Sequence, residues 1–322
     1  MSTTLADAVA DKLEQETQPE DLSDVLAKSI RFVMLRKGGL PGYYKLTEAK
    51  VTLSDKELDK ERFVGGSLRA IPRQWSSKFT SVYGKAESLI RAAAPDKSDV
   101  MPPMIPGIDV VAAERVETLK AQVAKVEAED FKPLLDSFLE AYPGILQDIE
   151  AEVKEANPAA WARLATRLPK AADIKASARL QLDEIPISFV GDAGKKAAEN
   201  IALQIVHGLS EKLEEEVDRV QKRIVEDGVF KAGTFTELKR QFSLLREFDF
   251  LASPELKQKL TTAESTFNAL GNNPHLALNE NMKSSTKDIV TGLSGVLSGL
   301  VVEAKKDAKE ASGRFRRAIE LD

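Results

Sequence analysis

The stretch Val206-His-Gly-Leu-Ser-Glu-Lys-Leu-Glu-Glu-Glu-Val-Asp-Arg-Val-Gln-Lys-Arg-Ile224 decides the fold. Its apolar residues Val206, Leu209, Leu213, Val217, Val220 and Ile224 step by 3, 4, 4, 3 and 4. A strand would alternate by two, whereas this spacing lines one stripe of a helix and resembles a coiled-coil seam. Glu, Lys and Arg fill the intervening positions, as on a solvated face. The spacing predicts one long helix over 195–226, with these six residues as candidates for a helix–helix interface.

Toward the C-terminus the pattern stays helical. Gly228 is a stop signal. Thr234-Phe-Thr-Glu237 offers a capping box ahead of a helix over 238–248. Ser253-Pro254 is an N-cap followed by proline at the first helical position, a start signal for 256–270. Asn272-Asn-Pro274 turns the chain, and a last helix is expected over 279–321.

Toward the N-terminus the reading is more mixed. Leu180–Val190 alternates around Pro186 and is expected to be extended. Helical spacing predicts helices over 145–155 and 158–168, and a long one over 110–142, with a kink or restart at Pro133 and a break at Tyr142-Pro-Gly144. The proline-rich run 95–106 reads as an extended connector, and 74–94 as a helix. Ile30–Leu35 fits strand or helix. Tyr43–Leu46 and Ala49–Leu53 read as short strands, Ser54-Asp-Lys-Glu57 as a capping box, and 4–16 as a helical stripe. The expected fold is mainly α: an elongated helical bundle with a coiled-coil-like body and a small irregular or β-containing insertion near 30–75. Two regions are expected, a mixed one over 1–106 and a long-helix bundle over 107–322 interrupted by an extended piece near 180–190.

Composition agrees. Of 322 residues, 43% are apolar and 30% are charged. That balance excludes global disorder. Aromatic residues make up only 6%, which suits narrow helical seams. The net charge of −5 lacks the basic excess that phosphate recognition requires. The most basic tract, Lys305–Arg317, also holds Asp307 and Glu310 and reads as a solvated helix face. Cysteine is absent, so no disulfide, thiolate nucleophile or Cys-based zinc site is available. No secretory signal opens the chain, and a cytoplasmic setting, in a bacterial host or infected cell, is the expectation.

One segment stands apart. Ile289–Val302 carries no charge over fourteen residues. A membrane-spanning helix needs about 20. Gly292, Gly295 and Gly299 step by 3 and 4 onto one helical face. Each interior glycine costs roughly 1 kcal/mol relative to alanine, so a reason is required. Close packing inside the bundle is the first reading, with a self-association face and membrane insertion as alternatives.

Signals for chemistry are sparse. His207 lies near the long seam and His275 follows Asn-Pro, far apart in sequence. Gly191-Asp-Ala-Gly-Lys195 resembles a fragment of a phosphate-binding loop, but its glycine spacing is wrong and alanine follows the lysine. Trp75 and Trp161 read as core aromatics rather than interface anchors. No catalytic residue, metal ligand or cofactor is assigned.

Several landmarks fall in a familiar order: Arg36-Lys-Gly-Gly-Leu40, Gly65-Gly-Ser-Leu-Arg-Ala-Ile-Pro72, Phe138-Leu-Glu-Ala-Tyr-Pro143, Leu168-Pro-Lys-Ala-Ala-Asp-Ile174, Ile185-Pro-Ile187, Gly228-Val-Phe-Lys-Ala-Gly-Thr234 and Glu247-Phe-Asp-Phe-Leu251. In this order the chain resembles a mainly helical family of uncharacterised phage and bacterial proteins, classed as a domain of unknown function. The resemblance implies a mobile-element origin and an accessory role to an AAA+ ATPase of the MoxR type, beside which such genes sometimes lie. It supplies no site residues. The function expected is that of a non-enzymatic interaction or structural protein binding a protein partner or itself through its helices. The alternatives are a nucleic-acid-associated phage factor, such as a nuclease inhibitor or DNA-end binder, and a membrane-active helical protein of the pore-forming kind.

Overall fold

Strand β1 (Ile30–Gly38) organises the chain, entered directly from helix α1 (Leu22–Ser29). The structure, a computed structural model, describes residues 22–40, 43–45, 63–64, 67–95, 107–156, 158–225, 236–271 and 283–320. Short strands β2 (Tyr43–Lys45), β3 (Phe63–Val64) and β4 (Ser67–Arg69) form a small antiparallel sheet in the order β2-β4-β3. Helix α2 (Arg73–Ala93), strand β5 (Asp109–Ala112), α3 (Val116–Val126), α4 (Lys132–Ala156), α5 (Pro158–Ala165), α6 (Ala171–Ser177) and strand β6 (Arg179–Ile185) follow. The chain then becomes wholly helical, with α7 (Gly191–Val225), α8 (Thr236–Glu247), α9 (Pro254–Gly271) and α10 (Lys283–Glu320). The fold is mainly α.

The run Ile30–Leu35 is strand because it finds a partner on each side. Ile30 to Val33 pair antiparallel with Ala112 to Asp109, and Phe32 to Gly38 with Ile185 to Arg179. Alternation then sorts the side chains. Ile30, Phe32 and Ala112 face one way and join the core of α7–α10. Val33, Val111 and Leu182 face the other way and pack against Ile90, Val116, Leu119 and Val123. Beyond these lies a core rich in aromatics, where Phe79 meets Phe131 and Phe138 at centroid distances of 5.9 and 5.8 Å, and Trp75 meets Phe138 at 5.4 Å. Gly39, at φ +78°, closes the end of β1 against α6. A Cβ there would lie 1.9 Å from the Ser177 carbonyl oxygen. Only glycine fits both the space and the backbone angle.

The second helical layer is antiparallel. Gln221 Nε2 of α7 donates to Ser298 Oγ of α10 at 3.0 Å, and Lys305 of α10, further along, pairs with Glu214 earlier in α7. On the other flank of α10, Lys259 of α9 meets Glu303 at 3.0 Å and Ser253 N–H donates to Asp307 Oδ2 at 2.8 Å.

Two expectations are corrected. The long helical pattern from Val110 does not begin there: 109–112 is strand β5, and the α-helix starts at Val116. Val110 and Val111 are β-branched, and pairing with β1 overrides the helical period of the residues that follow. The break at Tyr142-Pro-Gly144 is absent, since α4 passes through Pro143. An interior proline costs about 3 kcal/mol. The buried stripe Phe138, Tyr142, Ile145, Ile149 and Val153 outweighs that. Burying each large apolar side chain contributes roughly 1.5–3 kcal/mol. At Pro133 the chain answers differently, with a π turn over Glu127–Phe131 just ahead of it. Strand β1 bonds to both β5 and β6, so one sheet joins residues of the N-terminal region to residues of the long-helix region. The stripe over 4–16, the segment 46–62 with its capping box, the 95–106 connector beyond Pro95, and Gly228, Thr234 and Asn272–Pro274 lie outside the described residues.

Candidate interaction surface

The six seam residues of the opening stretch all fall on α7. Leu209, Leu213, Val217 and Val220 are 4% exposed or less and sit in one core with Leu293, Leu297 and Leu300 of α10. Val206 is half-buried beside them, and the side chain of Ile224 lies outside the described residues. This seam is occupied within the chain itself.

The glycines behave differently. On α10 the buried stripe is Leu293, Leu297, Leu300, Val301, Ala304 and Ala308. Gly292 and Gly295 are exposed on the opposite face and Gly299 is half-buried. A Cβ built at any of the three would meet nothing within 4 Å among the described residues. The expectation of close backbone packing inside the bundle is therefore corrected: α7 and α9 flank α10 on its inner side, and the glycine face turns outward. Their contacts to this segment come from the flanks, where Gln221 Nε2 donates to Ser294 O at 3.3 Å and Lys259 Nζ to Gly299 O at 3.3 Å.

The outward face has a register of its own. Gly292, Gly295, Gly299, Val302 and Lys306 step by 3, 4, 3 and 4. That is a second heptad on the same helix, back to back with the buried one. Val302 is 63% exposed, one of only two large hydrophobic side chains so placed among the described residues. The uncharged segment Ile289–Val302 hides this arrangement in sequence, because both faces are apolar or small. The spacing of Val302 and Lys306 relative to the glycines is the available signal. No helix among the described residues is long and apolar enough to cross a membrane.

Charge around Glu303 is ordered by pairing. Lys306, then Lys259, hold the Glu303 carboxylate below its ordinary value, against a smaller opposing effect of burial. Lys306 is raised in return, chiefly by Glu303. Burial pushes the Tyr83 phenol, in the aromatic core, up to about 12. These groups lie in separate parts of the molecule. No three His, Asp or Glu side chains among the described residues gather to hold a metal ion. Gly191–Lys195 forms the first turn of α7, and Gly194 is pressed against its own chain: a Cβ there would lie 2.4 Å from the Phe189 carbonyl carbon. Trp75 and Trp161 are half-buried against the aromatic core, and His207 is half-buried on α7. His275 lies outside the described residues.

No family model matches the chain, and comparison with curated proteins and with solved structures likewise brings no match.

Proposed function

We propose that this chain is a non-enzymatic interaction protein that works by helix-to-helix contact, with the outer seam of α10 as its contact surface. The observation that carries this reading is the outward glycine face: three interior glycines with open space where a side chain would stand. Each sacrifices roughly 1 kcal/mol of helix propensity, and nothing in the chain's own described packing uses the room they leave. A second helix lying along the seam would use it, since small residues let backbones approach closely.

A second copy of the chain suits the seam. An antiparallel pair pivoting on position 297 sets Gly295 against Gly299 and Val302 against the notch at Gly292. The resemblance to phage and bacterial proteins adds a setting, a mobile element in which the chain serves as accessory to an AAA+ ATPase.

Light scattering on wild type and Gly295→Leu tests the contact. Wild type is expected to associate with rising concentration. Gly295→Leu is expected to be monomeric, with an unchanged or higher melting temperature at dilution, because leucine gains helix propensity and meets no neighbour within the chain. A wild type that stays monomeric throughout, or a variant that associates equally, would sink this assignment.

A further inference from the structure

Helices α7, α8, α9 and α10 meet around a cavity of about 20 Å³. Its walls are mostly apolar, with Leu209, Phe248, Leu256 and Ala304 among them. Two polar side chains break that lining. Ser210 of α7 is 4% exposed and lines the cavity. Asp307 of α10 is 8% exposed.

Asp307 already has one task. Ser253 caps α9, its Oγ accepting the Leu256 N–H at 3.1 Å. In an ordinary capping box the residue three positions on reaches back to the cap's own amide. Here that residue is Leu256, which cannot. Asp307 does it instead from another helix, with Oδ2 accepting the Ser253 N–H at 2.8 Å. The carboxylate keeps further acceptor capacity.

A cavity on the order of 10–15 Å³ holds one water when polar groups line it. We infer that this cavity is a binding site for a single ordered water, which donates one hydrogen bond to the Asp307 carboxylate and exchanges another with Ser210 Oγ. The water extends the cap of α9 to α7, so that one Asp–water–Ser chain fixes three helices at their common crossing. The site takes nothing larger, and it is independent of the outer seam of α10.

A crystal structure of the full chain, at a resolution where ordered water is seen, tests this directly. One fully occupied water within hydrogen-bonding distance of both Ser210 Oγ and Asp307 is expected, and a cavity without density would overturn the inference. Thermal melts give a second readout. Ser210→Ala and Asp307→Asn, alone and combined, are expected to shift the melting temperature non-additively, since either change breaks the same bridge. Ser210→Val, which fills the space, is expected to abolish the water density. Strictly additive shifts, or a water that persists in Ser210→Val, would overturn it.

Discussion

Glu303 is 7% exposed and still charged, because Lys306 reaches it at 2.8 Å and Lys259 at 3.0 Å. Its folded pKa is depressed below the usual carboxylate value of 4.5. A depressed carboxylate stabilises the fold above its unfolded pKa and loses that contribution as pH falls through the folded one. Glu303→Gln is therefore expected to melt below wild type at neutral pH, with the gap closing as the pH is taken below about 4.5. A gap of constant size down to about pH 3 would contradict the pairing. The partners of such a residue are only half legible in sequence. Lys306 stands one turn away, but Lys259 is supplied by another helix, as Asp307 is for Ser253. The start of α9 at Ser253-Pro254 can be read directly, because capping is written within four residues. Its completion by Asp307 is a tertiary event.

At the level of elements, α7 is readable because its signal is local and long. Six apolar positions at 3–4 spacing admit one conformation, and the helix they imply exists, running from Gly191 to Val225. Strand β5 is not readable, because four residues carry no period of their own, and only β1 tells Val110 and Val111 what to be. Helix α10 shows a third case. Its periodicity announces an apolar stripe correctly, yet the glycine face that spacing assigns to an inner neighbour points outward. Glycine spacing states that a close approach is possible and does not say from which molecule. Within the α7 seam, burial ranks the positions. Leu213 is fully buried and Val206 half-buried. Leu213→Ala is expected to cost about 2–5 kcal/mol. Val206→Ala is expected to cost under about 1.5 kcal/mol, in proportion to the smaller area it removes from contact. Urea denaturation separates the two, and equal losses would mean that the seam is not the packing axis of this layer.

Across the whole molecule, the two helical layers are held by one sheet and by two links that pass beside it. Strand β1 faces the aliphatic core of α7–α10 with Ile30 and Phe32, and the opposite core with Val33. Arg115, just after β5, pairs with Glu247 of α8 and donates to Ser243 Oγ at 3.0 Å. Arg240 of α8 donates to the Arg91 carbonyl at the end of α2, at 2.7 Å. Neither layer can release its face of β1 without exposing the other, so both are expected to unfold in one cooperative step. Both tryptophans, Trp75 and Trp161, lie in the aromatic layer, while circular dichroism weighs every helix. Fluorescence and circular dichroism should therefore trace the same urea transition, and separated midpoints would show that the sheet does not couple the layers. Arg115→Ala probes the coupling further. Glu247 has a side chain only 8% exposed, and its Oε2 has no hydrogen-bond partner among the described residues. Taking away the guanidinium leaves that carboxylate without its counter-charge, at a cost of about 1–3 kcal/mol. Both probes should move together by that amount. If only the circular dichroism midpoint moved, Arg115 would be serving the α7–α10 layer alone and the sheet would not act as a shared wall.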